Sequence, residues 1–179
     1  RFENMKVLVT AFKPFNKMEN NYSSEVLNYL NNVDKVIIDV LYDTSYIELS
    51  SKCNLNEYDL IIAMGEARMR EELTLEIIAK NISSCSICDN GGIYKKDEEI
   101  IKGAPIEIQT EVDLANLKEF VKFSYDAGRF VCNNLYYHLL YNYPKKSLFI
   151  HVPNCNNDIN LYIKNAKKIE EIIKKIKGE

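Results

Sequence analysis

Residues 129–152 read RFVCNNLYYHLLYNYPKKSLFIHV. Val131, Leu135, Leu139 and Tyr143 recur at helical spacing, so Arg129–Tyr143 reads as a helix. Pro144 stops it, Lys145 and Lys146 complete a turn, and Ser147–Val152 is an almost continuously apolar run of the kind found in strands covered on both faces. A helix of about 14 residues rises about 21 Å. The strand that follows travels back about 16 Å. His151 therefore ends near the level of the helix N-terminus, where Cys132 lies in the first turn. A helix returning to a buried strand is the unit of an α/β sheet, and ligands bind such sheets at the C-terminal edge of the strands.

Outward from this unit the same alternation continues. Lys6–Phe12, Lys35–Leu41, Asp59–Met64, Leu73–Ala79 and Phe120–Ser124 read as further buried strands. Ser23–Leu30 starts with serines suited to capping and puts Val26, Leu27 and Leu30 on one side. Asn157–Lys177 repeats Ile159, Ile163, Ala166, Ile169, Ile173 and Ile176, an amphipathic helix with a lysine-rich outer face. The expected fold is α/β, with residues 6–177 as one domain. Asn81–Gly103, with Asp89-Asn90-Gly91-Gly92 and the charged stretch Lys95–Glu99, reads as a long surface loop.

Composition narrows the function. A chain of 179 residues can bury about 70% of its extended surface. Its net charge is −3 and no basic stripe stands out, which argues against nucleic acid or an anionic membrane as partner. No apolar run approaches the roughly 20 residues of a membrane helix. The segment RFENMKVLV lacks a signal-peptide pattern. Met5 is expected to be the true start, with Arg1–Asn4 a remnant of a longer chain. Five cysteines, at 53, 85, 88, 132 and 155, are an odd number in a chain that needs no staples. That points to a reducing, cytoplasmic setting.

Cys132 and His151 are then the chemical candidates. The unpaired amides and macrodipole of a first helical turn favour a thiolate, and the same amides suit an oxyanion in acyl transfer. Buried cysteines also serve as inert packing. Glu76 interrupts an otherwise apolar strand; it either orients His151 or faces water from an edge strand. Asp126 is a second candidate carboxylate, in a turn where aspartate commonly bonds its own backbone. Cys85-x-x-Cys88 has neither a second cysteine pair nor a nearby histidine, so it reads as two loop thiols rather than a zinc site.

Four blocks, in this order, carry a resemblance. They are Val9-Thr-Ala-Phe12-Lys-Pro-Phe15, Met64-Gly65 through Leu75-Glu76-Ile-Ile-Ala-Lys-Asn81, Ser124-Tyr-Asp-Ala-Gly-Arg-Phe-Val-Cys132-Asn, and Phe149-Ile-His151-Val-Pro153. Together they resemble the pyroglutamyl peptidase I (pyrrolidone carboxyl peptidase) family over nearly the whole chain. The resemblance implies a three-layer α/β/α sandwich with a mixed, largely parallel sheet. It implies a cysteine peptidase that removes an N-terminal pyroglutamyl residue from peptides, with Cys132, His151 and Glu76 as the catalytic triad. Phe12 and Phe15 would pack on the lactam ring, and Phe130 and Val131 would line the same pocket. No metal or organic cofactor is implied. The family includes single-chain and tetrameric members, so a monomer and a homo-oligomer both remain open.

The chain departs from the family at Ala11 and Asn16, which replace glycines, at Ile77, which replaces an arginine, and at Ser86, where many bacterial members carry arginine. Ala11 is expected to crowd a close backbone approach, and Asn16 to take a left-handed turn. The Asp-Ala-Gly-Arg form of the cysteine block resembles the animal-type branch. These departures leave two other functions open: a catalytically impaired α/β ligand-binding homologue, or an amidase for another small acyl group.

Overall fold

The computed structural model describes residues 4–178; Arg1–Glu3, most of the remnant expected ahead of Met5, lie outside the described residues. The main sheet has six strands. They are β1 (Val7–Phe12), β2 (Asp34–Ile38), β3 (Leu60–Glu66), β4 (Thr74–Glu76), β9 (Lys122–Ser124) and β10 (Ser147–Val152), in the spatial order β2-β1-β3-β10-β4-β9. The pairs β1–β2, β1–β3, β3–β10 and β4–β9 are parallel, and β10–β4 is antiparallel. The sheet is therefore mixed and largely parallel, as expected.

Alternation along the central strands builds two cores. Val7, Val9, Leu60, Ile62, Leu148 and Ile150 face helices α1 (Tyr22–Leu27) and α4 (Ile159–Lys177). Leu8, Phe12, Ile61, Ala63 and Phe149 face α2 (Thr44–Lys52) and α3 (Val131–Asn142). Each strand is buried on both sides, which is why these segments are apolar at nearly every position. The ends of α4 are defined chemically. Asp158 caps its N-terminus through the amide of Asn160, and Gly178, at φ 90°, closes its C-terminus with bonds to the carbonyls of Lys174 and Lys175.

Several expectations need correcting. Leu73–Ala79 is not one strand. It breaks at Ile77, whose amide donates to the Ser124 carbonyl and whose carbonyl accepts from Thr110. β4 stays in the main sheet, while β5 (Ile78–Lys80) leaves to pair with β8 (Glu107–Gln109). A continuous apolar pattern cannot reveal such a switch, because both halves are buried. The supposed loop 81–103 contains a small hairpin of β6 (Ser83–Cys85) and β7 (Lys95–Glu98). The second strand ends at Ile38 rather than Leu41, and the chain then turns through Asp43, at φ 62°, into α2. Serines throughout α2 hide its helical pattern. Ala11 crowds nothing in the pocket: it faces the α1–α4 core, opposite to Phe12. Asn16 takes the left-handed conformation expected of it, at φ 53°. Ile77, in place of an arginine, is buried in the α1–α4 core.

Candidate active site

Cys132 is the second residue of α3, and Phe130, at the N-cap position, supplies no side-chain cap to the amides behind it. Two asparagines that follow anchor this end of the helix. Asn133 Oδ1 accepts from the Lys80 amide at 2.9 Å, and its Nδ2 donates to the Lys80 carbonyl at 2.9 Å and the Ile82 carbonyl at 3.1 Å. Asn134 accepts from the Asp43 amide at 2.8 Å and donates to Asp43 Oδ1 at 2.9 Å. One turn on, the Tyr136 hydroxyl donates to the Glu76 carbonyl at 2.8 Å, tying the helix to β4. Buried amides and hydroxyls satisfied in this way hold the sulfur at a defined height above the sheet.

Strand register brings the other groups together. His151 lies opposite Gly65 on β3 and opposite Thr74 on β4, while Glu76 lies opposite Phe149. Paired residues project to one face, so His151, Thr74 and Glu76 share the face that α3 covers. A Cβ placed on Gly65 would sit 2.4 Å from Cys132 Sγ and 3.0 Å from Phe149 Cζ. The sulfur thus rests directly on Gly65, whose paired neighbour on β10, about one strand spacing (~4.8 Å) away along the sheet, is His151. No hydrogen bond joins Cys132 to His151 among the described residues.

Glu76 has no solvent exposure and His151 has 5%. Glu76 Oε2 lies 2.7 Å from His151 Nδ1. A carboxylate only accepts, so the proton sits on Nδ1 and the Nε2 lone pair is free to act as a base. The same Oε2 accepts from Arg70 Nη1 at 2.6 Å. Arg70 Nη1 also donates to Thr74 Oγ1, and Nη2 donates to the Asp126 carbonyl at 2.9 Å. Burial works against ionisation of Glu76. The hydrogen bond and electrostatic pull of the His151 Nδ1–H, helped by Ser124 and Arg70, outweigh it and hold the carboxyl below its usual range. The water-facing reading of Glu76 is excluded by this geometry. Asp126 stays in its turn, accepting from the Gly128 amide at 2.9 Å.

At Cys132, burial works against the thiolate that the helix end favours. Burial first, then the carboxylates of Glu66 and Glu76, push its thiol up to about 12, against the pull of Arg70 and of its own backbone amide. The sulfur occupies the helix end that the sequence assigns to it, half-buried, where desolvation and two nearby carboxylates oppose the thiolate that the helix amides favour.

Beside Cys132 runs a narrow slot lined by Phe12, Phe15, Phe130 and Val131, the four residues named from the sequence, together with Val40, Asn21 and Glu66. The Phe15 and Phe130 rings stand 5.5 Å apart and Phe130 meets Tyr42 edge-on at 5.5 Å. Glu66 does not present a free charge: its Oε1 accepts from the Tyr22 amide and its Oε2 from Arg68 Nε, both at 2.8 Å. A groove on the Arg70 side of the site is lined by Arg70, Glu72, Thr74, Lys122, Phe123 and Ser124. Ser86 lies elsewhere, in a surface groove with Tyr94 and Lys95. Among the described residues, no group of three or more His, Cys, Asp or Glu side chains is arranged to hold a metal ion. No helix among the described residues is long and apolar enough to cross a membrane.

The model of the family described as pyroglutamyl peptidase matches residues 5–177. The chain belongs to that family. It is 34% identical over 173 residues to a pyrrolidone-carboxylate peptidase of Brachyspira hyodysenteriae, covering 87% of this chain and 86% of the relative. It is 32% identical over 177 residues to the pyrrolidone-carboxylate peptidase of Thermosipho melanesiensis, covering 87% and 86%. Among solved structures, the pyrrolidone carboxyl peptidase of Fervidobacterium islandicum superposes with a TM-score of 0.84 at 25% identity, covering 98% of this chain and 99% of that one. Pyroglutamyl peptidase I of Bacillus amyloliquefaciens gives 0.79 at 26% identity, covering 94% of each chain. The three-layer α/β/α arrangement with its mixed sheet is thus the architecture of this family, and membership makes the chain a cysteine peptidase of the pyroglutamyl peptidase I type.

Arg70 and Thr74 escaped the reading of the sequence, and Gly65 is quoted there without a role. Arg70 and Thr74 lie six and two residues before Glu76, inside the block that carries the resemblance. Nothing in one sequence distinguishes Arg70 from Arg68, which instead stacks 3.9 Å over the Tyr22 ring.

Proposed function

We propose that this chain, acting as one domain over residues 6–177, hydrolyses the bond between an N-terminal pyroglutamyl residue and the rest of a peptide. The single observation that carries this reading is the seating of Cys132 Sγ on Gly65, beside the Glu76–His151 pair and at the mouth of a phenylalanine-lined slot. A small neutral lactam suits an apolar slot with few polar groups. A charged amino terminus would lose its hydration there without a partner.

In the mechanism, Glu76 fixes His151 with its proton on Nδ1. As the scissile carbonyl reaches Cys132, Nε2 takes the thiol proton and sulfur attacks the carbonyl carbon. Amides of the first turn of α3 receive the oxyanion. His151 then protonates the departing amine, the peptide leaves, and water, deprotonated by His151, releases pyroglutamate from sulfur. No step calls on a cofactor, and a reducing compartment such as the cytoplasm keeps the thiol available.

The test offers purified reduced protein a fluorogenic pyroglutamyl amide beside prolyl and glutaminyl amides. Selective release from the pyroglutamyl amide, abolished in Cys132→Ala, is the expected result. Equal rates in Cys132→Ala, or turnover of another acyl group instead, would overturn the reading. Binding without turnover would assign the chain to the catalytically impaired class.

A further inference from the structure

The Glu76–His151 pair has a third member. One carboxylate oxygen, Glu76 Oε2, receives both His151 Nδ1 at 2.7 Å and Arg70 Nη1 at 2.6 Å. Arg70 Nη2 reaches across to the Asp126 carbonyl at 2.9 Å, in the turn that leads into α3. One guanidinium therefore links the loop between β3 and β4, the buried carboxylate and the segment that delivers Cys132. Glu76 is fully buried, whereas the Arg70 side chain is 28% exposed, so the cation enters the site from the solvent side. Other ionisable groups around the pair are Glu66 at the end of β3, Glu71 and Glu72 in the following loop, Lys122 on β9, Asp126 and Cys132. Among the described residues, none of their side chains bonds to Glu76 or His151.

We infer that Arg70 is a positioning residue that balances the charge of Glu76, so that the Glu76–His151 pair stays ready to accept the thiol proton near neutral pH. A lone buried carboxylate would favour a proton in the pair at all times, either on the imidazole or on itself. A guanidinium on the same oxygen opposes that proton whichever partner carries it. The planar fork also fixes the carboxylate plane and therefore the direction of the imidazole. The role assigned to Arg70 rests on the peptidase reading, but its electrostatic effect does not depend on turnover.

The experiment compares wild type with Arg70→Gln and Arg70→Lys. The chain has two histidines, so ring signals of labelled protein report the pair directly, with His138→Gln identifying the other set. In Arg70→Gln the pair should take up its proton about half to one pH unit higher than in wild type, the effect of losing one nearby, partly screened charge. Arg70→Lys should stay near wild type. The acidic limb of kcat/KM for the pyroglutamyl amide should move with the titration, and kcat should fall more than KM rises. A normal titration in Arg70→Gln, even with lowered activity at all pH values, would reduce Arg70 to a structural bridge and overturn the inference. If wild type turns over no pyroglutamyl amide, the functional reading fails while the ring titration still decides the role of Arg70.

Discussion

At the scale of single residues, Gly65 is the most demanding position in the site. Its φ lies outside the left-handed region, so backbone freedom is not what it supplies. It supplies the absence of a Cβ, which would lie 2.4 Å from Cys132 Sγ. Gly65→Ala should push the sulfur off the sheet, lower kcat at least about 100-fold and cost about 1–3 kcal/mol of stability. Steady-state kinetics and a urea melt check this; a near-normal kcat would mean the sulfur has room to work elsewhere. Cys132, His151 and Glu76 were legible because an acid inside an apolar strand and a histidine at a strand end are conspicuous. Arg70 was not, because a loop arginine looks like any surface cation until the fold places it on a buried carboxylate.

At the scale of elements, the junction of α2 with α3 holds the helix that carries Cys132 from its outer side. Asp43 accepts from Asn134 Nδ2 and lies 3.0 Å from His138 Nε2, whose ring stacks on Tyr46 at 5.1 Å. The His138 hydrogen bond first, with Asn134 and Lys95 assisting against partial burial, lowers the Asp43 carboxyl to about 2. Its folded value is thus below the unfolded one of about 3.9. The stabilisation is present above that unfolded value and disappears as pH falls toward 2. Urea midpoints at about pH 5 and pH 2.5 should fall less in Asp43→Asn than in wild type. An equal fall would mean the contact contributes nothing. The helix α3 and strand β10 were readable because periodicity, Pro144 and an apolar run agree. The break between β4 and β5 was not: burial on both sides of Ile77 leaves the pattern apolar while the strand changes sheets.

At the scale of the whole molecule, the sheet explains why distant residues meet. Three neighbouring strands, β3, β10 and β4, carry Gly65, His151 and Glu76 to one end of one face, and α3 brings Cys132 down onto them. The alternation of strands and helices made that class of fold legible. The order of strands was not, since the antiparallel insertion of β4 beside β10 depends on long-range pairing that no local pattern encodes. The central claim is that sulfur, imidazole and carboxylate act as one unit, and it is tested most directly by the rate at which a pyroglutamyl chloromethyl ketone alkylates Cys132, followed by intact-protein mass. Wild type should be labelled once, at Cys132, and His151→Gln should react at least about 100-fold more slowly while remaining folded. Equal labelling rates in the two proteins would show that the thiol works without the imidazole and would contradict the account.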